Sequence, residues 1–227
     1  LNGGASEVVV GAQHGCALLI TGAVQCWAIT TDPYGYSNSD LVTDTTPVDI
    51  EGLSSDIQSI TTGSDHLCAL TTAGGVKCVG NNSYGQLGDG STDSRRNAME
   101  VVGLSSSALE IRANGDHTCA LLSNGAVQCW GYNYSGQLGD GSTSSRSLPV
   151  NVVGLSSGIV SVAAGGSHNC AVTNTGAAKC WGSNFSGQLG DSTTTRRSTP
   201  VDVITLNHNV TRLIAGGSPT PAFPGRG

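Results

Sequence analysis

Apolar side chains alternate with polar ones in short runs separated by clusters of Gly, Ser and Asn, the pattern of strands joined by tight turns. Between residues 109 and 153 the alternating runs are 109–113, 119–122, 127–130 and 149–153, which predicts about four short strands in sequence. The same series recurs along the chain. His14, His66, His117 and His168 mark successive copies at intervals of 52, 51 and 51 residues. The third and fourth copies are nearly identical, HTCALLSNGAVQCWGYNYSGQLGDGSTSSR and HNCAVTNTGAAKCWGSNFSGQLGDSTTTRR. A unit of that length is one supersecondary motif, too small to bury its own apolar face, so copies must pack on one another. The expectation is an all-β protein with four copies of about 51 residues plus the start of a fifth, over residues 1–218. Each copy reads as a small antiparallel sheet, and four strands per copy suggest a propeller blade. Residues 219–227 form a Pro- and Gly-rich tail that cannot continue the strand pattern.

The tightest local signal is a hairpin. In Cys119-Ala-Leu-Leu-Ser-Asn-Gly-Ala-Val-Gln-Cys129, Gly125 stands six residues after the first cysteine, as Gly22, Gly74 and Gly176 do in the other copies. A three-residue loop whose last residue is left-handed calls for glycine there. That register sets Cys119 opposite Cys129, Cys16 opposite Cys26, Cys68 opposite Cys78 and Cys170 opposite Cys180, which uses all eight cysteines. Directly opposed residues in an antiparallel pair lie about 4.5–5.5 Å apart, within reach of a disulfide. Cross-strand disulfides are therefore the first reading. The competing reading is metal. Each copy's His lies two residues before the first Cys, on the same face of the strand, and a His-Cys-Cys trio can hold zinc. A fourth ligand is not evident and no Cys-x-x-Cys is present, so the expectation is disulfides, with no metal and no cofactor. Paired cysteines in turn imply an oxidising compartment, extracellular or periplasmic.

Composition narrows the partners. Charged residues are 11% of the chain against a usual value of about 25%, so the surface is polar and largely neutral. The net charge of -6 comes with no basic tail or stripe, which argues against nucleic acid. No stretch approaches the roughly 20 apolar residues that span a bilayer, so no membrane insertion is expected. Residues 1–10 lack a positive n-region and a long apolar run, so the chain reads as a processed product or a segment of something larger.

The strings Gly80-Asn-Asn-Ser-Tyr-Gly-Gln-Leu-Gly88, Gly131-Tyr-Asn-Tyr-Ser-Gly-Gln-Leu-Gly139 and Gly182-Ser-Asn-Phe-Ser-Gly-Gln-Leu-Gly190 resemble the repeats of the RCC1 (regulator of chromosome condensation) family. The resemblance covers nearly the whole chain. It implies β-propeller blades of about four strands, and the Cys-paired form looks like the variant common in secreted bacterial proteins. The first copy departs from the pattern, since Trp27-Ala-Ile-Thr-Thr-Asp-Pro-Tyr-Gly-Tyr-Ser-Asn-Ser-Asp40 lacks Gly-Gln-Leu-Gly. A fifth copy begins at 210–218, matching 159–167, with Pro219 in place of the His and Pro221 in place of the Cys. Propellers of this family generally close with seven blades, which at this period needs about 357 residues. Four copies therefore imply a small ring, a fragment of a longer propeller, or an open array whose end faces other subunits cover.

The resemblance reads the four recurrent histidines as packing and hydrogen-bonding residues, and no nucleophile with an orienting acid accompanies them. Trp27, Trp130 and Trp181 each follow a Cys by one residue and so face the other side of the sheet, as inter-blade core, with Val79 in that place in the second copy. Arg95, Arg146 and Arg197 fall six residues after Asp89, Asp140 and Asp191; bridging within or between blades is the first reading, a ring of arginines that binds anions the second. The Asp-Gly-Ser-Thr loops lack the ligand density of a calcium loop. Asn81, Asn133, Asn184 and Asn209 head Asn-x-Ser/Thr sequons and are candidate glycosylation sites, although the family motif uses Asn133 and Asn184 for turn geometry.

The resemblance extends to eukaryotic exchange factors for a small GTPase, whose loops have no match here. The expected function is a non-enzymatic, extracellular interaction or assembly scaffold that self-associates into a homo-oligomer or filament. The alternative is a secreted binding module that grips a protein or glycan ligand with loops such as 30–44, a reading the resemblance supports through secreted bacterial inhibitors with this fold.

Overall fold

The computed structural model describes residues 4–28 and 45–216. These form four antiparallel sheets of four strands each, joined in chain order. The first holds β1 (Ala5–Val10), β2 (His14–Leu19), β3 (Val24–Ala28) and β4 (Val48–Asp49); the second β5 (Ile57–Thr62), β6 (His66–Thr71), β7 (Val76–Gly80) and β8 (Arg95–Glu100). The third holds β9 (Ala108–Asn114), β10 (His117–Leu122), β11 (Val127–Gly131) and β12 (Arg146–Asn151); the fourth β13 (Ile159–Ala164), β14 (His168–Thr173), β15 (Ala178–Gly182) and β16 (Arg197–Asp202). Each sheet is one copy of the repeat, and the described residues contain no helix.

The hairpin at the centre of each sheet forms for the reason the sequence gives. Leu122 N donates to Ala126 O at 2.9 Å and Gly125 N to Leu122 O at 2.8 Å, which closes a three-residue loop. Gly22, Gly74, Gly125 and Gly176 take φ of 83°, 82°, 77° and 79°, a conformation that costs any side-chain-bearing residue. The register pairs Cys16 with Cys26, Cys68 with Cys78, Cys119 with Cys129 and Cys170 with Cys180. All four pairs are disulfides, with Cα atoms 4.1 Å apart.

The fourth strand of the third copy runs Arg146–Asn151, not over 149–153. It starts early because Arg146 pairs with Gly131. It stops early because Val152 N turns to Val127 O and Val153 N to Gly139 O, taking Val152 out of the ladder and into the core. Pro149 is accommodated because this is an edge strand. The start of the fifth copy is also not a strand. Over 210–216 Val210 N donates to Gly176 O, as Ile159 N does to Gly125 O, but no ladder follows. A first strand needs a hairpin to pair with, and prolines stand where that hairpin would begin. The expected loop 30–44 lies outside the described residues, and so does the tail 219–227.

Sheets stack face to face through a repeated core. Between the second and third, Cys68, Leu70, Val76, Cys78 and Leu87 meet Ala108, Ile111, Ala120, Leu122 and Trp130. Between the third and fourth, Cys119, Leu121, Val127, Cys129, Leu138, Val152 and Leu155 meet Ile159, Val162, Ala171 and Trp181. The first and second sheets are joined in the same way, with Val79 in the tryptophan's place. Beyond the fourth sheet the cluster shrinks to Cys170, Cys180 and Leu189, flanked by half-buried Val201, Val203 and Leu213. The array is an open or incomplete propeller.

Candidate functional site

The sheet-to-sheet contacts are built by the Gly-Gln-Leu-Gly turns. Gln86 sits at the turn after β7, and its main-chain carbonyl accepts the indole N–H of Trp130 at 2.9 Å and the Thr118 hydroxyl at 3.2 Å. One copy later, the Gln137 carbonyl accepts Trp181 Nε1 at 2.8 Å and Asn169 Nδ2 at 2.7 Å. Gly88 and Gly139 lie directly under the indoles: a Cβ on either would come within 2.8 Å of the indole nitrogen. Trp130 and Trp181 are fully buried against the sheet before them, whereas Trp27, with no earlier sheet among the described residues, is half-buried.

The histidines extend the same contact. His66 Nε2 bonds the Thr118 hydroxyl at 2.9 Å and His117 Nε2 bonds Asn169 Oδ1 at 3.0 Å, so each reaches one copy forward. Leu67 occupies the Thr118 position in the second copy and offers no oxygen, and His14 bonds Thr62 Oγ1 instead. Burial holds these rings neutral, lowering His14, His117 and His168 to about 4 and His66 to about 3. The cysteine sulfurs that would complete a His-Cys-Cys metal trio are in disulfides. Among the described residues no group of three His, Cys, Asp or Glu side chains is placed to hold a metal ion.

Asn82, Asn133 and Asn184 are fully buried and organise the turn. Asn133 Nδ2 donates to Asp140 Oδ1, Ser142 O and Ser144 O at 3.3, 3.3 and 3.0 Å, and its Oδ1 accepts Leu138 N at 2.9 Å. Both Asn133 and Asn184 are thus turned inward, while Asn81 is half-buried and Asn209 is exposed with φ of 64°. The recurrent Asp–Arg offset is a bridge within the second, third and fourth copies: Arg95 to Asp89 at 3.3 Å, Arg146 to Asp140 at 2.9 Å and Arg197 to Asp191 at 2.8 Å. Their charges are paired rather than offered to an anion.

Two exposed features remain. At the outer end of the fourth sheet a cavity of about 300 Å³ is lined by Cys170, Cys180, Gln188, Leu189, Leu206 and Leu213. On the loop face, Tyr84 and Tyr132 lie 4.7 Å apart between ring centroids, Tyr132 and Tyr134 lie 6.5 Å apart and stacked, and the Arg196 guanidinium covers Tyr134. The sequence reading passed over both the tyrosine cluster and the Gln carbonyls. The first was visible as three tyrosines in adjacent copies of one turn; the second is a main-chain acceptor, which residue type does not reveal.

Comparison with known proteins follows this geometry. A model of the regulator of chromosome condensation (RCC1) repeat matches residues 124–172 and 178–220, and a second model of the same description matches 57–86, 110–137 and 159–188. The probable E3 ubiquitin-protein ligase HERC4 of Homo sapiens is 34% identical over 183 residues, 78% of this chain and 17% of HERC4. The ultraviolet-B receptor UVR8 of Arabidopsis thaliana is 31% identical over 214 residues, 92% of this chain and 48% of UVR8. The chain thus spans less than half the length of either relative. The crystal structure of Prp20p from Saccharomyces cerevisiae, described with its binding to Gsp1p and histones, superposes with a TM-score of 0.78 at 20% identity, covering 96% of this chain and 55% of that one. With the repeat models matching the second, third and fourth sheets and their Gly-Gln-Leu-Gly turns, more than half of the chain, the chain belongs to the RCC1 repeat family.

Proposed function

We propose that this chain is a non-enzymatic, extracellular protein-interaction scaffold that self-associates through its sheet ends. The observation that carries the reading is the unequal burial of equivalent faces. Ile60, Ile111 and Val162 are 3%, 1% and 3% exposed where they pack on the preceding sheet, whereas Val8, their counterpart in the first sheet, is 55% exposed. Apolar surface left open at one end, with an apolar cavity at the other, favours association. Four disulfides fit an extracellular protein, and no helix among the described residues is long and apolar enough to cross a membrane. Prp20p, a protein of this fold, is described with its binding to Gsp1p and histones. The acidic balance without a basic stripe speaks against nucleic acid as the partner here. Light scattering across a wide concentration range, with negative-stain imaging, tests the proposal. A mass that rises above the monomer and particles built of more than one chain are expected; a concentration-independent monomer closed as a four-sheet ring overturns it.

The second reading is a binding module whose loop face grips a protein or glycan. It is favoured by Tyr84, Tyr134 and Phe185, which are 43%, 67% and 75% exposed on the same turns. Tyrosines supply large, rigid, amphipathic contact area at low entropic cost. Glycan-array and pull-down binding that is lost in Tyr84→Ala/Tyr134→Ala, with oligomeric state unchanged, would establish it.

A further inference from the structure

We propose that the cavity ringed by the first strands of the sheets binds a small carboxylic acid anion with an apolar body. The carboxylate takes the main-chain N–H of Leu213, the Arg212 guanidinium and the Ser161 hydroxyl. The site is independent of the self-association and of the loop face discussed above.

β1, β5, β9 and β13 are edge strands, and together with residues 212–215 they line one cavity of about 310 Å³. Val9, Ile60, Ala163, Leu213 and Ile214 give it an apolar wall. An apolar wall with a few polar groups, at this size, is the make-up of a small-molecule site.

The repeat itself shows which group this wall takes up. Glu7 Oε2 accepts the main-chain N–H of Ile60 at 3.0 Å, and Glu110 Oε2 accepts that of Val162 at 3.2 Å. Each time a carboxylate on one first strand meets an N–H on the first strand of the next copy. Ser161 stands at the repeat position of Glu7 and Glu110, and Leu213 at that of Ile60 and Val162. A serine side chain ends well short of where a glutamate carboxylate lies, so this position brings no carboxylate to Leu213. The gap is made by Ser161, in the middle of β13.

Charge selects between the two gaps of this kind. Ser59 leaves one in front of Ile111, but the residue before Ile111 is Glu110, which repels an anion. The residue before Leu213 is Arg212, which attracts one. The other polar side chains on the wall are engaged within the chain. Glu7 holds Ile60, Thr61 Oγ1 accepts Ala113 N at 2.9 Å, and Arg112 pairs with Glu110 and donates to Ile111 O at 2.8 Å. Among the described residues the Arg212 guanidinium and the Ser161 hydroxyl have no hydrogen-bond or ion-pair partner. A guanidinium with further donors beside it matches a carboxylate, which accepts on both oxygens.

Titration of the full, isotope-labelled chain with isocaproate, followed by amide chemical shifts, tests this. Saturable binding at one site is expected, with the largest shifts at Leu213 and its neighbours. Isocaproamide has the same body without the charge and should bind at least tenfold more weakly. Arg212→Gln should weaken isocaproate binding at least fivefold. Ser161→Glu brings the chain's own carboxylate to Leu213 and should abolish binding with the thermal transition kept. Equal binding of acid and amide, unchanged binding in Arg212→Gln or in folded Ser161→Glu, or no saturable binding overturns the site. Displacement of isocaproate by an equal concentration of inorganic phosphate would mark a general anion site and overturns the carboxylate assignment. So would binding of the peptide Gly-Gly-Gly-Leu with isocaproate silent, which would give the cavity to a protein terminus.

Discussion

The indole N–H of Trp181 donates to the main-chain carbonyl of Gln137 at 2.8 Å, fastening the fourth sheet to the third, and Trp130 makes the same bond to Gln86 one copy earlier. Since Asn169 Nδ2 also donates to the Gln137 carbonyl, the acceptor stays satisfied when the indole nitrogen is removed. Trp181→Phe should then cost about 2 kcal/mol, one hydrogen bond plus the packing of the part of the indole that phenylalanine does not replace. Trp181→Ala should cost about 3–5 kcal/mol, because it empties a fully buried site. Urea midpoints of the two variants decide it, and equal losses would show that the hydrogen bond, not the packing, carries the contact.

The turn depends on its asparagine more than on its ion pair. Asn133→Ala leaves the buried Leu138 N–H without its acceptor and deprives several carbonyl and carboxylate oxygens of a donor. A loss of about 2–4 kcal/mol follows from one stranded buried donor plus the lost bonds. Arg146, whose side chain is 43% exposed, bridges Asp140 at the surface, and Arg146→Ala should cost under about 1 kcal/mol. The same denaturation series checks the order, and a larger effect at Arg146 would contradict it.

What could be read in advance was what one copy encodes locally. Gly125 announces its left-handed turn, the turn sets the register, and the register sets Cys119 against Cys129. The length of β12 was not legible, because Val152 leaves the sheet for a main-chain bond to Val127 and a place in the core. Nor was the half-burial of Trp27, which shares its sequence context with Trp130 but has no preceding sheet among the described residues. Residues 210–216 match 159–165 in pattern without forming a strand, since a strand exists only by virtue of its partner.

Peptide mapping without reduction should return the links Cys16–Cys26, Cys68–Cys78, Cys119–Cys129 and Cys170–Cys180, with no free thiol. Each closes a short loop, so in the chain-entropy model each should stabilise by about 3 kcal/mol. Bound zinc in stoichiometric amount, or shuffled links, would contradict the pairing.

Made in a host that glycosylates, the folded protein should carry its glycan at Asn209, the exposed sequon. Asn133 and Asn184 have no accessible surface, and a sugar on Asn133 Nδ2 would displace the bonds to Asp140 and Ser144. Glycopeptide mapping of folded material showing occupancy at Asn133 or Asn184 would refute this.

Acid should weaken the fold well before the carboxylates titrate. His66 and His117 are fully buried; burial, with the charges of neighbouring histidines, holds His66 at about 3, and burial, with the charge of His168, holds His117 at about 4 against the Asn169 bond. Between the ordinary value of about 6.5 and these lowered values, the unfolded chain binds protons that the folded one refuses. Stability is therefore complete above about pH 6.5 and falls as pH drops toward 4, by up to about 1.4 kcal/mol per pH unit for each such ring. Asp191 acts lower down: burial raises it, but hydrogen bonds from Thr193, Arg197 and Asn184 prevail and hold it at about 2. Its contribution is present above the usual carboxylate value and is lost only as pH falls through about 2. Urea midpoints at pH 7.5, 6, 5 and 4.5 should decline steadily. In His117→Gln, which keeps an amide donor for Asn169 and cannot titrate, the decline should be shallower whatever its starting stability. A midpoint flat from pH 7.5 to 4.5 in the wild type would sink the histidine account.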